Sequence, residues 1–88
     1  MNELSNKIRK LIADEQGIDQ SRIVDDTELQ FDLGMNSLDT LELIVLIEQT
    51  LGISIGDEDA EKVKTFKELI TLIEETEYAK ESLKGFPQ

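Results

Sequence analysis

One serine stands where a reactive or modifiable hydroxyl would be useful, at the predicted start of a helix. Ser37 follows residues 32–36 (DLGMN) and precedes an apolar stretch with helical periodicity. The simplest role for such a serine is to cap the helix. A second role is that of a catalytic nucleophile. A third is a modification site, because the free N–H groups and positive dipole end of a helix suit a phosphate ester.

The composition removes most of the catalytic options. The 88 residues include no histidine and no cysteine, and no G-x-S-x-G sequence surrounds Ser37. No base of the usual kind can activate its hydroxyl, and neither a disulfide nor a Cys/His zinc site can form. We therefore expect no catalytic residues, no metal site and a protein that is not an enzyme.

The charge of the chain indicates what it binds. With 20 acidic and 9 basic side chains, the formal net charge is −11. Nucleic-acid phosphates need Lys and Arg, so nucleic acid is excluded as a partner and basic proteins are favoured. No apolar run approaches the ~18 residues of a membrane span, and the N-terminus does not resemble a signal peptide. We expect a cytoplasmic monomer without stable membrane insertion.

The apolar periodicity predicts an all-α fold, a small four-helix bundle with three main helices, one short helix and a long first loop. The predicted helices cover about residues 3–16, 37–51 and 57–63, and a fourth runs from about 65 towards 84. The residues expected to cap or end them are Asn2 or Ser5, Gly17, Asn36 or Ser37, Gly52, Thr65 with Glu68, and Gly85 with Pro87. A single domain is expected over 1–88, with its core at about 3–76 and a C-terminal extension at 77–88.

Residues 18–36 show no sustained period and predict a long loop, which a compact domain must anchor. The apolar side chains expected to pin this loop to the core are Ile23, Val24, Leu29, Phe31 and Leu33. A single helical turn is also expected around residues 27–30.

Helix two is apolar on two opposite sides. One side is an ordinary core stripe, and the other, here called the second face, consists of Leu38, Leu41 and Val45. A domain of this size cannot bury a helix all round. The second face is therefore either a docking surface or a surface covered by the loop of residues 18–36, and the pattern alone favours neither.

The sequence around Ser37 resembles a known family. Residues 32–43 (DLGMNSLDTLEL) are similar to the D-L-G-x-D-S-L-D-x-x-E-L signature of acyl carrier proteins. Residues 53–63 (ISIGDEDAEKV) resemble that family's I-P-D-x-x-A-E-K-I segment, and the resemblance covers about residues 4–76. Its form is nearer to fatty-acid-type carriers than to peptidyl carriers, which typically have L-G-G-x-S.

The resemblance implies a non-catalytic carrier of acyl groups in fatty acid or related lipid or secondary-metabolite biosynthesis. Ser37 would hold a covalent 4′-phosphopantetheine, which a Mg²⁺-dependent phosphopantetheinyl transferase adds from coenzyme A. The thiol of this arm would carry the cargo as a thioester. The other implied partners are acyl-transfer, condensing or activating enzymes with basic docking patches.

The resemblance also assigns roles to two sets of residues. Those implied to meet partners are Asn36, Leu38, Asp39, Leu41, Glu42, Val45 and Glu48. Those implied to line a cavity for the acyl chain are Leu43, Ile47, Ile55, Ala60, Val63 and Leu69. The partner set includes the whole second face.

Several positions depart from the family pattern. Asn36 stands where Asp is usual; it caps a helix equally well but removes a carboxylate beside Ser37, which predicts slow loading or another transferase. Phe31 stands at a commonly polar position, Leu69 would narrow the acyl cavity, and Gly56 replaces a proline. Together with the C-terminal extension, these differences suggest a specialised carrier that serves one dedicated pathway.

Other interpretations use the same residues. Positions 1, 3, 5 and 12 of an EF-hand-like loop would be occupied by Asp57, Asp59, Glu61 and Glu68. Because Lys62 occupies the position that requires glycine, we reject a calcium site. An acidic interaction module or inhibitor without a prosthetic group would use the charge without needing the serine. Within the family, an aminoacyl or polyketide carrier has the same frame.

Overall fold

The computed structural model describes the backbone of residues 3–84 and the side chains of residues 3–79. Its four α-helices are α1 (Glu3–Gln16), α2 (Ser37–Leu51), α3 (Asp57–Lys62) and α4 (Phe66–Lys84), with a 3₁₀ turn at Gln20–Arg22. The predicted all-α fold with three main helices and one short helix is confirmed. Within residues 3–84, no helix combines the length and apolar character needed to cross a membrane.

Glycine ends the first two long helices in the way the sequence predicts. Gly17 and Gly52 both have φ of 65°, the left-handed conformation that glycine adopts without steric cost. After α1, the N–H of Ile18 donates to the carbonyl of Ala13 at 3.0 Å. After α2, the N–H of Ile53 donates to the carbonyl of Glu48 at 3.2 Å. Both are Schellman-type bonds, which satisfy carbonyls at the end of a helix.

The core joins all four helices and the first loop. Its buried side chains are Ile8, Ile12, Ala13, Ile23, Leu29, Met35, Leu43, Ile44, Ile47, Ile53, Ile55, Ala60, Phe66, Leu69, Ile70 and Ile73. At its edge, the Arg9 guanidinium lies 4.9 Å from the centroid of the Phe66 ring and donates from Nε to the carbonyl of Ile23 at 2.8 Å. This side chain thus ties α1 to α4 and to the loop.

The expected anchoring of the loop is only partly correct. Ile23 and Leu29 are buried and Leu33 is half-buried, but Val24 and Phe31 are exposed. Phe31 turns outward because it lies within the turn that the N–H of Asp32 closes onto the carbonyl of Glu28 at 2.8 Å.

Backbone pairing supplies the anchoring that the apolar pattern did not predict. The N–H of Leu29 donates to the carbonyl of Lys64, and the N–H of Phe66 donates to the carbonyl of Thr27, both at 2.9 Å. Thr27 is itself buried, and its hydroxyl accepts from the N–H of Val24 at 2.9 Å. The middle of the loop is therefore fastened to the segment between α3 and α4.

The helical turn expected at residues 27–30 lies slightly later, over residues 28–32, where the N–H of Asp32 donates to the carbonyl of Glu28. A 3₁₀ turn that was not predicted lies earlier, at Gln20–Arg22, where the carboxylate of Asp19 caps it by accepting from the N–H of Ser21 at 2.8 Å. The backbone and hydroxyl of Ser21 hold the pKa of this carboxyl below its ordinary value.

A reciprocal capping box starts α4, as predicted. The Thr65 hydroxyl accepts from the N–H of Glu68 at 3.1 Å, and the Glu68 carboxylate accepts from the N–H of Thr65 at 2.9 Å. The backbone N–H groups of Thr65 and Lys64 lower the pKa of Glu68. This contribution to stability is present above the ordinary pKa of a glutamate and is lost as pH falls through the lowered value. The predicted stop at Gly85 and Pro87, like the alternative cap Asn2, lies outside the described residues.

We expect Thr65→Ala to lower the free energy of unfolding by about 1 kcal/mol, because the N–H of Glu68 loses its acceptor. Urea denaturation followed by circular dichroism measures the change. Thr71→Ala, at an exposed position within the same helix, is the matched control. Equal destabilisation by the two variants would contradict this role for Thr65.

Candidate attachment site at the start of α2

The cap of α2 belongs to Asn36, which settles the choice between Asn36 and Ser37. The Asn36 Oδ1 accepts from the N–H of Asp39 at 2.8 Å, and the Asp39 Oδ2 accepts from the N–H of Asn36 at 3.0 Å. Asn36 therefore replaces the family's aspartate without loss of the capping box. Ser37 becomes the first helical residue, and its hydroxyl is not needed for capping.

Ser37 has the surroundings that a phosphate ester requires. Its side chain is exposed, and the hydroxyl makes no hydrogen bond with another residue of the described chain. The N–H groups of Ser37 and Leu38, in the first turn of α2, likewise have no acceptor among residues 3–84. An anion on the Ser37 oxygen would meet these donors and the positive end of the helix dipole, so the residues fit a phosphate-linked group.

The loop does not cover the second face of α2. Leu38 is 62% exposed, and Leu41 and Val45 are each 48% exposed. On the opposite side of the helix Leu43, Ile44 and Ile47 are buried, as predicted. Three neighbouring apolar side chains thus form a solvent-facing patch that begins one residue after Ser37.

The acidic residues around this patch differ in what they do. Glu42 is exposed, whereas Asp39 is half-buried in the capping box. The Glu48 Oε2 accepts from the N–H of Ile55 at 2.8 Å and so holds the connection between α2 and α3. Sequence reasoning missed this internal contact of Glu48, because it joins residues that only the fold brings together.

A cleft of about 260 Å³ lies beside Ser37, between α2, α3 and the loop. The residues that line it are Gln30, Ser37, Thr40, Leu41, Ala60, Glu61 and Val63. Of the six expected acyl-cavity residues, only Ala60 and Val63 border this cleft. The other four, Leu43, Ile47, Ile55 and Leu69, lie in the closed core. Gln30, Thr40 and Glu61 were not predicted here, since no local pattern distinguishes them from other polar residues.

The fold and the site together define a carrier domain: a small helical bundle that exposes a serine at a helix N-terminus, beside a cleft and a partly apolar surface. Residues 6–73 match the family described as phosphopantetheine attachment site, and the chain belongs to this family. It is accordingly a phosphopantetheine carrier protein, consistent with the acyl carrier resemblance. Members carry covalently attached 4′-phosphopantetheine, are typically non-catalytic and interact with partner enzymes.

Asn36 provides a test of the capping interaction. We expect Asn36→Ala to cost about 1 kcal/mol of stability, because the N–H of Asp39 loses its acceptor, and Asn36→Asp to leave stability nearly unchanged. Thermal unfolding of both variants measures the difference. An Asn36→Ala protein as stable as Asn36→Asp would show that the capping bond contributes nothing.

Proposed function

We propose that Ser37 is the attachment point of the phosphopantetheine arm and that the protein presents acyl groups as thioesters. The observation that carries the proposal is the exposed Ser37 hydroxyl, which caps nothing and lies beside unpaired N–H groups at the positive end of α2. The pathway we propose is fatty acid or related lipid or secondary-metabolite biosynthesis in the cytoplasm.

Loading would require a separate transferase, because the chain has no histidine or cysteine to activate the serine. In that reaction Ser37 Oγ would lose its proton to a base of the transferase and bond to the phosphorus that bears pantetheine, while the pyrophosphate bond of coenzyme A breaks and 3′,5′-adenosine bisphosphate leaves. The attached arm supplies a thiol, which this chain lacks. The N–H groups of Ser37 and Leu38 would then hold the phosphate, and the cleft beside Ser37 would receive the start of the arm.

Partner enzymes would dock on the second face of α2. The complex would be stabilised by removing from water the apolar side chains of Leu38, Leu41 and Val45. The exposed carboxylate of Glu42 would lie opposite a basic patch on the partner. Asn36, Asp39 and Glu48 border this surface, although all three also serve the fold. An aliphatic cargo would enter the core between Ala60 and Val63, towards the remaining expected cavity residues.

The proposal is tested by loading. The protein is incubated with coenzyme A, Mg²⁺ and a broad-specificity phosphopantetheinyl transferase, and its intact mass is measured. We expect a gain of one phosphopantetheinyl group, located on the peptide that contains Ser37. An unchanged mass, under conditions in which a known carrier is fully loaded, would overturn the proposal.

The rate at which the transferase loads the protein tests the role of Asn36, the residue before Ser37. If the transferase recognises a carboxylate before the serine, Asn36→Asp loads faster than the wild type while its stability stays the same. Initial rates at matched protein concentration give the comparison. A slower Asn36→Asp protein would indicate a transferase adapted to asparagine.

A further inference from the structure

An aromatic side chain on the loop before α2 lies in solvent. Phe31 is 86% exposed, more than any other large apolar side chain of residues 3–79. This position is commonly polar in the proteins that the sequence resembles, so an aromatic residue here is particular to this chain. Because the ring contributes almost nothing to the core, the fold itself does not account for it.

The turn that presents Phe31 is fixed at both ends. It covers residues 28–32 and is here called the Phe31 turn. The N–H of Asp32 donates to the carbonyl of Glu28, and the N–H of Glu28 donates to the Asp32 Oδ2, each at 2.8 Å. Leu29 is buried, and its N–H donates to the carbonyl of Lys64 at 2.9 Å. Because the backbone is already ordered, a partner would bind this ring at little cost in conformational entropy.

The Phe31 turn is continuous with the surface around Ser37. Phe31 lines a cleft of about 540 Å³, separate from the one beside Ser37. The residues that line both clefts are Gln30, Glu61 and Val63. Leu41, which belongs to the second face, lines the cleft beside Ser37. Phe31 is therefore not an isolated surface residue, because shared lining residues connect it with the exposed apolar side chains of α2.

An enzyme that acts on Ser37 has to cover this surface. A specific interface typically buries about 800 Å² of each partner, which is more than the second face alone can supply. A partner centred on Ser37 and seated on Leu38 and Leu41 would extend over the residues shared by the two clefts. The Phe31 ring lies at the edge of that area.

The charges around Phe31 favour a partner with basic groups. Glu28 and Glu61 line the same cleft and Asp32 follows Phe31 in the turn, and all three are exposed. Among the residues that line this cleft, Lys64 supplies a single positive charge against them. The chain as a whole has a formal charge of −11. Arg or Lys side chains of a partner would pair with these carboxylates, and a guanidinium could also stack on the ring.

We propose that Phe31 is a docking anchor for the phosphopantetheinyl transferase and inserts into an apolar pocket of that enzyme rimmed by Arg or Lys. Phe31 and the second face of α2 bind the same enzyme, and Phe31 selects a transferase that has such a pocket. This inference rests on the proposed attachment at Ser37, because the attachment reaction brings the transferase to this surface.

The kinetics of loading test the anchor. The phosphopantetheinyl transferase of the source organism is supplied with coenzyme A, Mg²⁺ and increasing amounts of wild type or Phe31→Ala, and initial rates of mass gain are measured. We expect Phe31→Ala to raise KM about tenfold and to leave kcat unchanged, as for the loss of an aromatic side chain that anchors an interface. Phe31→Leu, which keeps part of the apolar surface, should have an intermediate KM. An unchanged KM in Phe31→Ala would overturn the inference.

The controls separate docking from an effect on the fold. Val24→Ala truncates another exposed apolar side chain of the same loop, one that lines neither cleft, and should keep the wild-type KM. Thermal unfolding of Phe31→Ala should match that of the wild type, because the removed ring is exposed. An equal rise of KM in Val24→Ala and Phe31→Ala would contradict a specific role for Phe31.

Fluorine NMR measures whether the ring is covered in the complex. Ser37→Ala is labelled with 4-fluorophenylalanine, the Phe31 signal is assigned with Phe31→Leu, and buried Phe66 serves as the internal reference. Spectra in H₂O and D₂O are recorded at a concentration of transferase and coenzyme A at which Ser37→Ala inhibits loading of the wild type. We expect the solvent isotope shift of the Phe31 fluorine to fall towards that of Phe66. An isotope shift that stays at its free value would overturn the inference.

The remaining outcomes identify what has failed. A Phe31 isotope shift that falls with rising protein concentration in the absence of transferase would make a second copy of this chain the occupant and would overturn the inference. Wild-type protein that loads no better than Phe31→Ala overturns this inference alone. Wild-type protein that gains no mass overturns the attachment proposal and this inference with it.

Discussion

We expect Ser37→Ala to abolish the gain of phosphopantetheine and to leave the fold intact. The proposed attachment uses this hydroxyl, and the nearest other hydroxyl in the first turn of α2, that of Thr40, donates to the carbonyl of Asn36 at 3.1 Å, so we expect the loss to be complete. Stability should change little, because Asn36 and Asp39 make the capping box without the serine. Alanine also has the highest intrinsic helix propensity.

The controls separate attachment from general reactivity. Ser54→Ala replaces another exposed serine, in the connection between α2 and α3, and should load like the wild type. Intact mass after incubation and circular dichroism before it are measured for each variant. A folded Ser37→Ala protein that still gains phosphopantetheine would place the attachment elsewhere.

Local signals made the start of α2 and of α4 predictable. Asn36 with Asp39, and Thr65 with Glu68, are each three residues apart, so their reciprocal bonds depend only on the backbone between them. The same holds for Gly17 at the end of α1. In each case the sequence pattern and the energetic cause lie within one turn of helix.

The first loop was predicted less well, because its anchors are distant in sequence. Thr27 and Leu29 pair with residues after α3, and no local pattern indicates which loop segment does so. Once that pairing is fixed, alternating side chains point inward at Thr27 and Leu29, and Phe31 follows in an outward turn. The sequence therefore predicted a core position for Phe31, although the fold leaves its side chain exposed to solvent.

The candidate site, like the first loop, was only partly predictable because it also depends on tertiary structure. Residues 32–43 indicated Ser37 as the candidate serine and limited the cap to Asn36 or Ser37, but exposure of the second face depended on where the loop lies. Of the expected acyl-cavity residues, Ala60 and Val63 line the cleft beside Ser37 and the others do not. Packing across α2, α3 and the loop decides which residues line the cleft, and the apolar periodicity of a single helix does not indicate them.

We expect Leu38→Ala/Leu41→Ala to lower the kcat/KM of the transferase for this protein by about 10- to 100-fold. Leu38 is 62% and Leu41 48% exposed in the free protein, so their truncation removes only part of their packing, and unfolding should shift by about 1 kcal/mol or less. Buried apolar anchors at the centre of an interface typically contribute 1 kcal/mol or more each, and every 1.4 kcal/mol is a factor of ten.

The division of this effect between KM and kcat identifies docking as its cause. Loss of an interaction that is equally strong in the bound complex and in the transition state raises KM and leaves kcat unchanged. Tyr78→Ala, which truncates an exposed aromatic side chain on α4, controls for general loss of apolar surface and should keep the wild-type KM. An unchanged KM in the double variant would show that the transferase does not use the second face of α2, and the acidic residues around it, together with Phe31, would then have to bring the enzyme to Ser37.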